Sequence, residues 1–124
     1  MTDNLSKALP KYVLIVEDQF MLALEMKTAF EAKGWTVVGP CPTVREAMHY
    51  VETTYFNVAC LDYRLENETS EDIALALHEK EIPFVFITGD NLALQKSAFR
   101  HSNRILYKPL IMDDLIRATE NTLD

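Results

Sequence analysis

The chain has 124 residues, 48% hydrophobic and 25% charged, with a net charge of −7. That composition predicts one ordinary globular core and excludes a disordered or low-complexity scaffold, while the acidic balance disfavours direct nucleic-acid binding. Uninterrupted apolar runs reach five residues, as at 73–77, against the ~20 that a membrane helix needs, so membrane insertion is not expected. The opening MTDNLSKALP lacks a signal-peptide pattern, which predicts a polar arm over 1–10, a folded domain over 11–124 and a cytoplasmic location.

The first element is VLIV at 13–16, an apolar, β-branched run short enough to be a buried strand. Leu22, Met26, Ala29 and Phe30 then fall on one helical face, and Gly34 is placed to end that helix. WTVV at 35–38 is the second strand. Thr43 is positioned to cap the next helix, with Glu46 three residues later as in a capping box and Val44, Ala47, Met48 and Val51 as its stripe. VACL at 58–61 follows as a strand, then a helix from Thr69 or Ser70 that turns Ile73, Ala76 and Leu77 inward. FVFI at 84–87 is the fourth strand, and a short helix starts at Asp90 or Asn91 and ends before Asn103. The fifth strand is 105–107, and the last helix begins near Ile111 with Met112, Leu115, Ile116, Thr119 and Leu123 on one side.

Parallel strands need crossovers, and near-continuous apolar strands fit burial on both faces. The pattern therefore predicts an α/β, flavodoxin-like, doubly wound five-stranded parallel sheet in the order 2-1-3-4-5 with five helices. Three scattered glycines (Gly34, Gly39, Gly89) exclude a dinucleotide fingerprint or phosphate-cradling loop, which need clustered glycines. Cys41 and Cys60 form no CxxC pair and are read as reduced structural thiols. His49, His78 and His101 are read as ordinary helix residues.

In such sheets ligands bind beyond the carboxyl ends of the strands. Glu17 and Asp18 follow the first strand, Asp62 the third, Thr88 the fourth and Lys108 the fifth, while the second ends in Gly39 and Pro40. Each has an ordinary alternative: an acidic pair at a helix start, a turn Asp, a loop hydroxyl, a solvated Lys. Their convergence at one rim alters that reading, because three close carboxylates raise one another's pKa unless a cation neutralises them. An all-oxygen site suits magnesium, and Lys108 and Thr88 would face the oxygens of a phosphoryl group, which points to an acyl phosphate on Asp.

VLIVEDQ at 13–19, LDYRL at 61–65, FITGD at 86–90 and YKP at 107–109 resemble, in order, the four signatures of the receiver domain of bacterial two-component response regulators. The resemblance implies that Asp62 is the phosphoacceptor and that Asp18 and Asp62 bind Mg2+ directly. It further implies that Glu17 acts through a metal-bound water and that the Arg64 backbone carbonyl is the third protein ligand. Thr88 and Lys108 are then the phosphoryl-binding residues, and the Lys108–Pro109 bond is expected to be cis. The implied donor is the phosphohistidine of a sensor histidine kinase, and the implied output is a downstream protein partner or a histidine phosphotransfer protein. The Phe-x-Thr-Gly form at 86–89 is similar to that of a group of stand-alone alphaproteobacterial receivers carrying Phe-Ala-Thr-Gly.

Several positions depart from the family pattern. Ile105 stands where receivers usually carry a Tyr or Phe, and an aliphatic side chain cannot make the aromatic swing that reports phosphorylation. Tyr107 is aromatic but is expected on the other face of the strand. Asp90 brings a further carboxylate near the rim, and ENETS at 66–70 lacks the usual Pro and Gly. Signalling is therefore expected to order or shift the short fourth helix and its flanks, and with no effector domain after Asp124 the output is expected to be a protein contact through the fourth and fifth helices. A haloacid-dehalogenase-type phosphatase is disfavoured because Arg64 stands where a second Asp would serve as general acid. Flavin is disfavoured by the acidic loop after Val16, and a receiver-like adaptor that is never phosphorylated is the remaining alternative.

Overall fold

A computed structural model describes residues 10–89, 94–100 and 104–123. Five parallel strands, β1 (Tyr12–Val16), β2 (Thr36–Cys41), β3 (Val58–Asp62), β4 (Phe84–Thr88) and β5 (Ile105–Tyr107), form one sheet in the order β2-β1-β3-β4-β5. The order is the expected one. Among the described residues four helices connect and cover it: α1 (Phe20–Ala32), α2 (Val44–Thr53), α3 (Glu71–Glu79) and α4 (Met112–Asn121). The expected further helix between β4 and β5 falls partly on residues 90–93 and 101–103, outside the described residues. Within 94–100 the Ser97 N–H bonds the Leu94 carbonyl (3.0 Å) and the Arg100 N–H the Ser97 carbonyl (3.2 Å), successive tight turns.

The two-residue pleat divides the core. Val13 and Ile15 of β1 face Met26 and Phe30 of α1 and Leu115 and Ile116 of α4. Leu14 and Val16 face the opposite layer, with Ala47 and Val51 of α2 and Ile73, Ala74 and Leu77 of α3. The same alternation corrects the expectation for Tyr107. Ile105 packs with the Phe86 and Phe99 layer and Leu106 with the other, so Tyr107, two residues from Ile105, shares the Ile105 face, where it is exposed.

Helix ends follow the local chemistry. Gly34 takes φ +88 after α1, its N–H bonds the Glu31 carbonyl (3.0 Å) and the Trp35 N–H bonds the Phe30 carbonyl (3.1 Å). These are the paired bonds of a Schellman ending, with Trp35 edge-on to Phe30 at 5.3 Å as its hydrophobic clasp. Thr43 Oγ1 accepts from the Glu46 N–H (3.2 Å) at the start of α2. β2 runs on to Cys41, past the expected end at Val38, through a cis Gly39–Pro40 bond and a register shift between Leu14 and Val16. An edge strand tolerates such a proline because one side of its backbone has no ladder to supply. Gly39 is required there: φ is +88, and a Cβ would lie 2.8 Å from the Cys41 nitrogen and 3.1 Å from the Ile15 carbonyl.

Both cysteines are free and buried, and burial pushes each thiol up to about 12, so they remain unreactive core thiols. No described helix is long and apolar enough to cross a membrane.

Candidate functional site

Three strand ends and one strand-following loop build the site. As β1 ends, the Glu17 N–H donates to the Cys41 carbonyl (3.0 Å), which ties the acidic pair to the edge of β2. Glu17 is buried, 2% exposed, and its Oε2 accepts from the Gln19 N–H (3.1 Å), whereas Oε1 is buried with no hydrogen-bond donor. Asp62 closes β3 at 3% exposure and Thr88 closes β4 at 1%. Lys108 follows β5, held by its N–H to the Thr88 carbonyl (2.9 Å), and the Lys108–Pro109 peptide is cis. The Lys108 Nζ lies 3.3 Å from Asp62 Oδ2 and 3.7 Å from Glu17 Oε1. Half-buried Asp18 completes the group: one carboxylate oxygen from each of Glu17, Asp18 and Asp62 lies within 4.8 Å of the others.

Burial dominates the electrostatics. It pushes the Glu17 carboxyl up from 4.5 to about 7, opposed by the Gln19 N–H and reinforced by the neighbouring Asp62 charge. Asp62 is also raised by burial, against the lowering effects of a hydrogen bond from Glu17 and of Lys108. One ammonium thus faces two buried acids, and burial holds both above their ordinary carboxylate range. Three hard oxygen donors and a buried carboxylate oxygen lacking a donor fit a dication with oxygen preference, Mg2+ above all.

Arg64 lies two residues beyond Asp62 in a loop pinned by Leu65 N–H to the Glu68 carbonyl and Ser70 N–H to the Tyr63 carbonyl, both 2.9 Å. Ile105 is half-buried in the aromatic layer with Phe84, Phe86 and Phe99. Asp90 is outside the described residues. Two features of the site's surroundings escape a sequence reading. Glu68 Oε2 accepts from the Val44 N–H (3.0 Å), tying the loop after Asp62 to the start of α2. An open groove of about 1150 Å³ also runs from Lys108, Pro109 and Leu110 along α1, where Phe20 and Met21 are 77% and 73% exposed. Two large apolar residues after an acidic pair were the available signal for the second; nothing local marks the first.

Comparison with known proteins bears on the fold and the family. Solved structures share the fold: the CheY-like receiver domain protein of Methanospirillum hungatei JF-1 superposes with a TM-score of 0.78 at 22% identity, covering 94% of this chain and 95% of that one. SdrG from Sphingomonas melonis Fr1 is 32% identical, with a TM-score of 0.77 over 92% of this chain and 96% of its own. The transcriptional regulatory protein PdtaR of Mycobacterium tuberculosis is 25% identical across 96% of this chain, which spans only 60% of that protein's length. The sequence also matches the response regulator receiver domain over residues 13–120, a span that leaves out only the first residue of β1 and the last of α4 among the strands and helices described above. This chain belongs to the response regulator receiver domain family, signalling domains of two-component systems.

Proposed function

We propose that Asp62 accepts a phosphoryl group from the phosphohistidine of a sensor histidine kinase and passes the signal to a protein partner or onward to a histidine phosphotransfer protein, in the cytoplasm. The observation that carries this reading is the meeting of Asp62 with Lys108 at 3.3 Å and with two further carboxylates inside a 4.8 Å cluster. Asp18 and Asp62, with the Arg64 carbonyl, would hold Mg2+, and Glu17 would act through one of its waters. When bound, the ion supplies the positive charge that offsets the clustered carboxylates and the incoming phosphoryl oxygens.

The chain's own residues position the reaction. An Asp62 carboxylate oxygen attacks phosphorus; a P–O bond forms, the P–N bond to the donor imidazole breaks, and the departing nitrogen takes a proton from water. Lys108 and the Thr88 hydroxyl stabilise charge on the transferring oxygens, and the driving force resides in the donor. Arg64, always protonated, offers no general acid for rapid hydrolysis, which favours a persistent acyl phosphate over phosphatase turnover. A phosphohistidine-bearing donor protein must reach Asp62 past the rim, and the apolar groove of α1 beside Lys108 is the surface it would meet first.

Acetyl phosphate with and without Mg2+, followed by intact mass and peptide mapping, tests the assignment. One metal-dependent adduct on Asp62, lost in Asp62→Asn, is the expected result. An unlabelled wild-type chain would favour the silent adaptor, and labelling that survives Asp62→Asn would move the acceptor elsewhere.

A further inference from the structure

Tyr63, the residue after Asp62, belongs to a chain of hydrogen bonds that phosphoryl acceptance does not use. Its hydroxyl donates to Glu71 Oε2 (2.7 Å), Glu71 Oε1 accepts from the Ser97 hydroxyl (2.9 Å), and Ser97 Oγ accepts from the Phe99 N–H (3.0 Å). Glu71 opens α3, so one carboxylate joins the end of β3 to the 94–100 segment, with both its oxygens engaged. Ring contacts run beside it: Tyr63 is edge-on to Phe86 at 5.5 Å, and Phe86 to Phe99 at 5.7 Å. Tyr63 and Ser97 are both buried. Ile105 packs in this same layer, so the aromatic hydroxyl missing at 105 is supplied on the same side of the sheet by Tyr63.

We infer that Glu71 is a latch: by bridging Tyr63 and Ser97 it holds the 94–100 segment in its unphosphorylated position, and phosphorylation of Asp62 releases it. The inference rests on Asp62 being the phosphoacceptor. The connection to the site is short. The Tyr63 N–H donates to the Ile87 carbonyl (2.8 Å), one residue before Thr88. A phosphoryl group engaging Thr88 shifts the end of β4, and that shift reaches Tyr63 through this bond. An ångström of displacement at the Tyr63 hydroxyl takes its 2.7 Å bond to Glu71 past hydrogen-bond distance and opens the bridge. The result is a two-position element of the kind that signalling domains use. Tyr63, Glu71 and Ser97 act as positioning residues, away from the reacting atoms.

Hydrogen exchange of the full chain, before and after treatment with acetyl phosphate and Mg2+, reads the latch directly in wild type, Tyr63→Phe and Ser97→Ala. In wild type, phosphorylation should speed exchange across 94–100 by roughly fivefold or more, the factor expected for losing one such bond. Each variant should exchange that fast before phosphorylation, change little after it, and still acquire the Asp62 adduct. Each substitution removes one oxygen from opposite ends of the bridge, so either variant suffices, and protection in β1 and β3 reports that the fold is intact. If the variants exchange faster in both states but keep the wild-type ratio between them, the network is merely structural and the latch is wrong. An adduct in wild type with no change across 94–100 also overturns it. Absence of the adduct, seen by mass alone, overturns the functional reading beneath it.

Discussion

Replacing Glu17 by Gln isolates what it costs this fold to keep a carboxylate at the rim. In dication-free buffer Glu17 holds its proton up to about pH 7 when folded, while the unfolded chain releases it near 4.5. The folded state therefore binds more protons between those values, and stability falls as pH rises from 4.5 to about 7, then levels off. Moving one carboxyl that far corresponds to up to about 3 kcal/mol, or about 10 °C in Tm for a chain of this size. Glu17→Gln has nothing to ionise, and its amide can still donate to Asp62. Thermal melts in EDTA should place the variant above wild type by up to that amount at pH 8, with the two curves converging toward pH 4.5. Millimolar Mg2+ should raise the wild-type Tm at pH 8 and raise the variant's less. Parallel profiles for wild type and variant across pH 5 to 8 would refute the claim that burial of Glu17 is the governing cost.

Lys108→Ala removes the cation 3.3 Å from Asp62 and leaves the carboxylates facing one another; labelling by acetyl phosphate should slow by roughly tenfold or more, measured by time-resolved intact mass. Phe20→Ser alters a residue 77% exposed in the groove beside Lys108. It should leave acetyl phosphate labelling and Tm unchanged while slowing transfer from a phosphohistidine protein, and equal slowing with both donors would remove the groove from the docking path. Gly39→Ala forces a Cβ to within 2.8 Å of the Cys41 nitrogen at φ +88, and should cost about 2–3 kcal/mol in chemical denaturation; an unchanged midpoint would mean that β2 relaxes freely.

Strand and helix identities were legible in the sequence because they depend on local periodicity and local capping. VLIV and FVFI can be buried on both faces only in a covered parallel sheet, and Thr43 with Glu46, or Gly34 before Trp35, mark helix ends through bonds to near neighbours. The rim was legible for a related reason: in a 2-1-3-4-5 sheet the residues after four strands must meet, so Glu17, Asp18, Asp62, Thr88 and Lys108 could be named from order alone. The face of Tyr107 follows equally from the pleat, because residues two apart on a strand share a side.

What the tertiary structure decided are relations between side chains whose separation no periodic rule governs. Cys41 receiving the Glu17 N–H, Glu68 reaching Val44, and Glu71 joining Tyr63 to Ser97 depend on how loops and helices settle against a finished sheet. The same holds for the carboxyl of Glu17: its sequence neighbours Val16 and Asp18 say nothing of burial, and only the packed rim, which withdraws it from water beside Asp62, pushes it to about 7. Order along the chain fixes which groups come together, because topology is discrete; their distances and their protons are set by packing and solvent exclusion, which exist only in three dimensions.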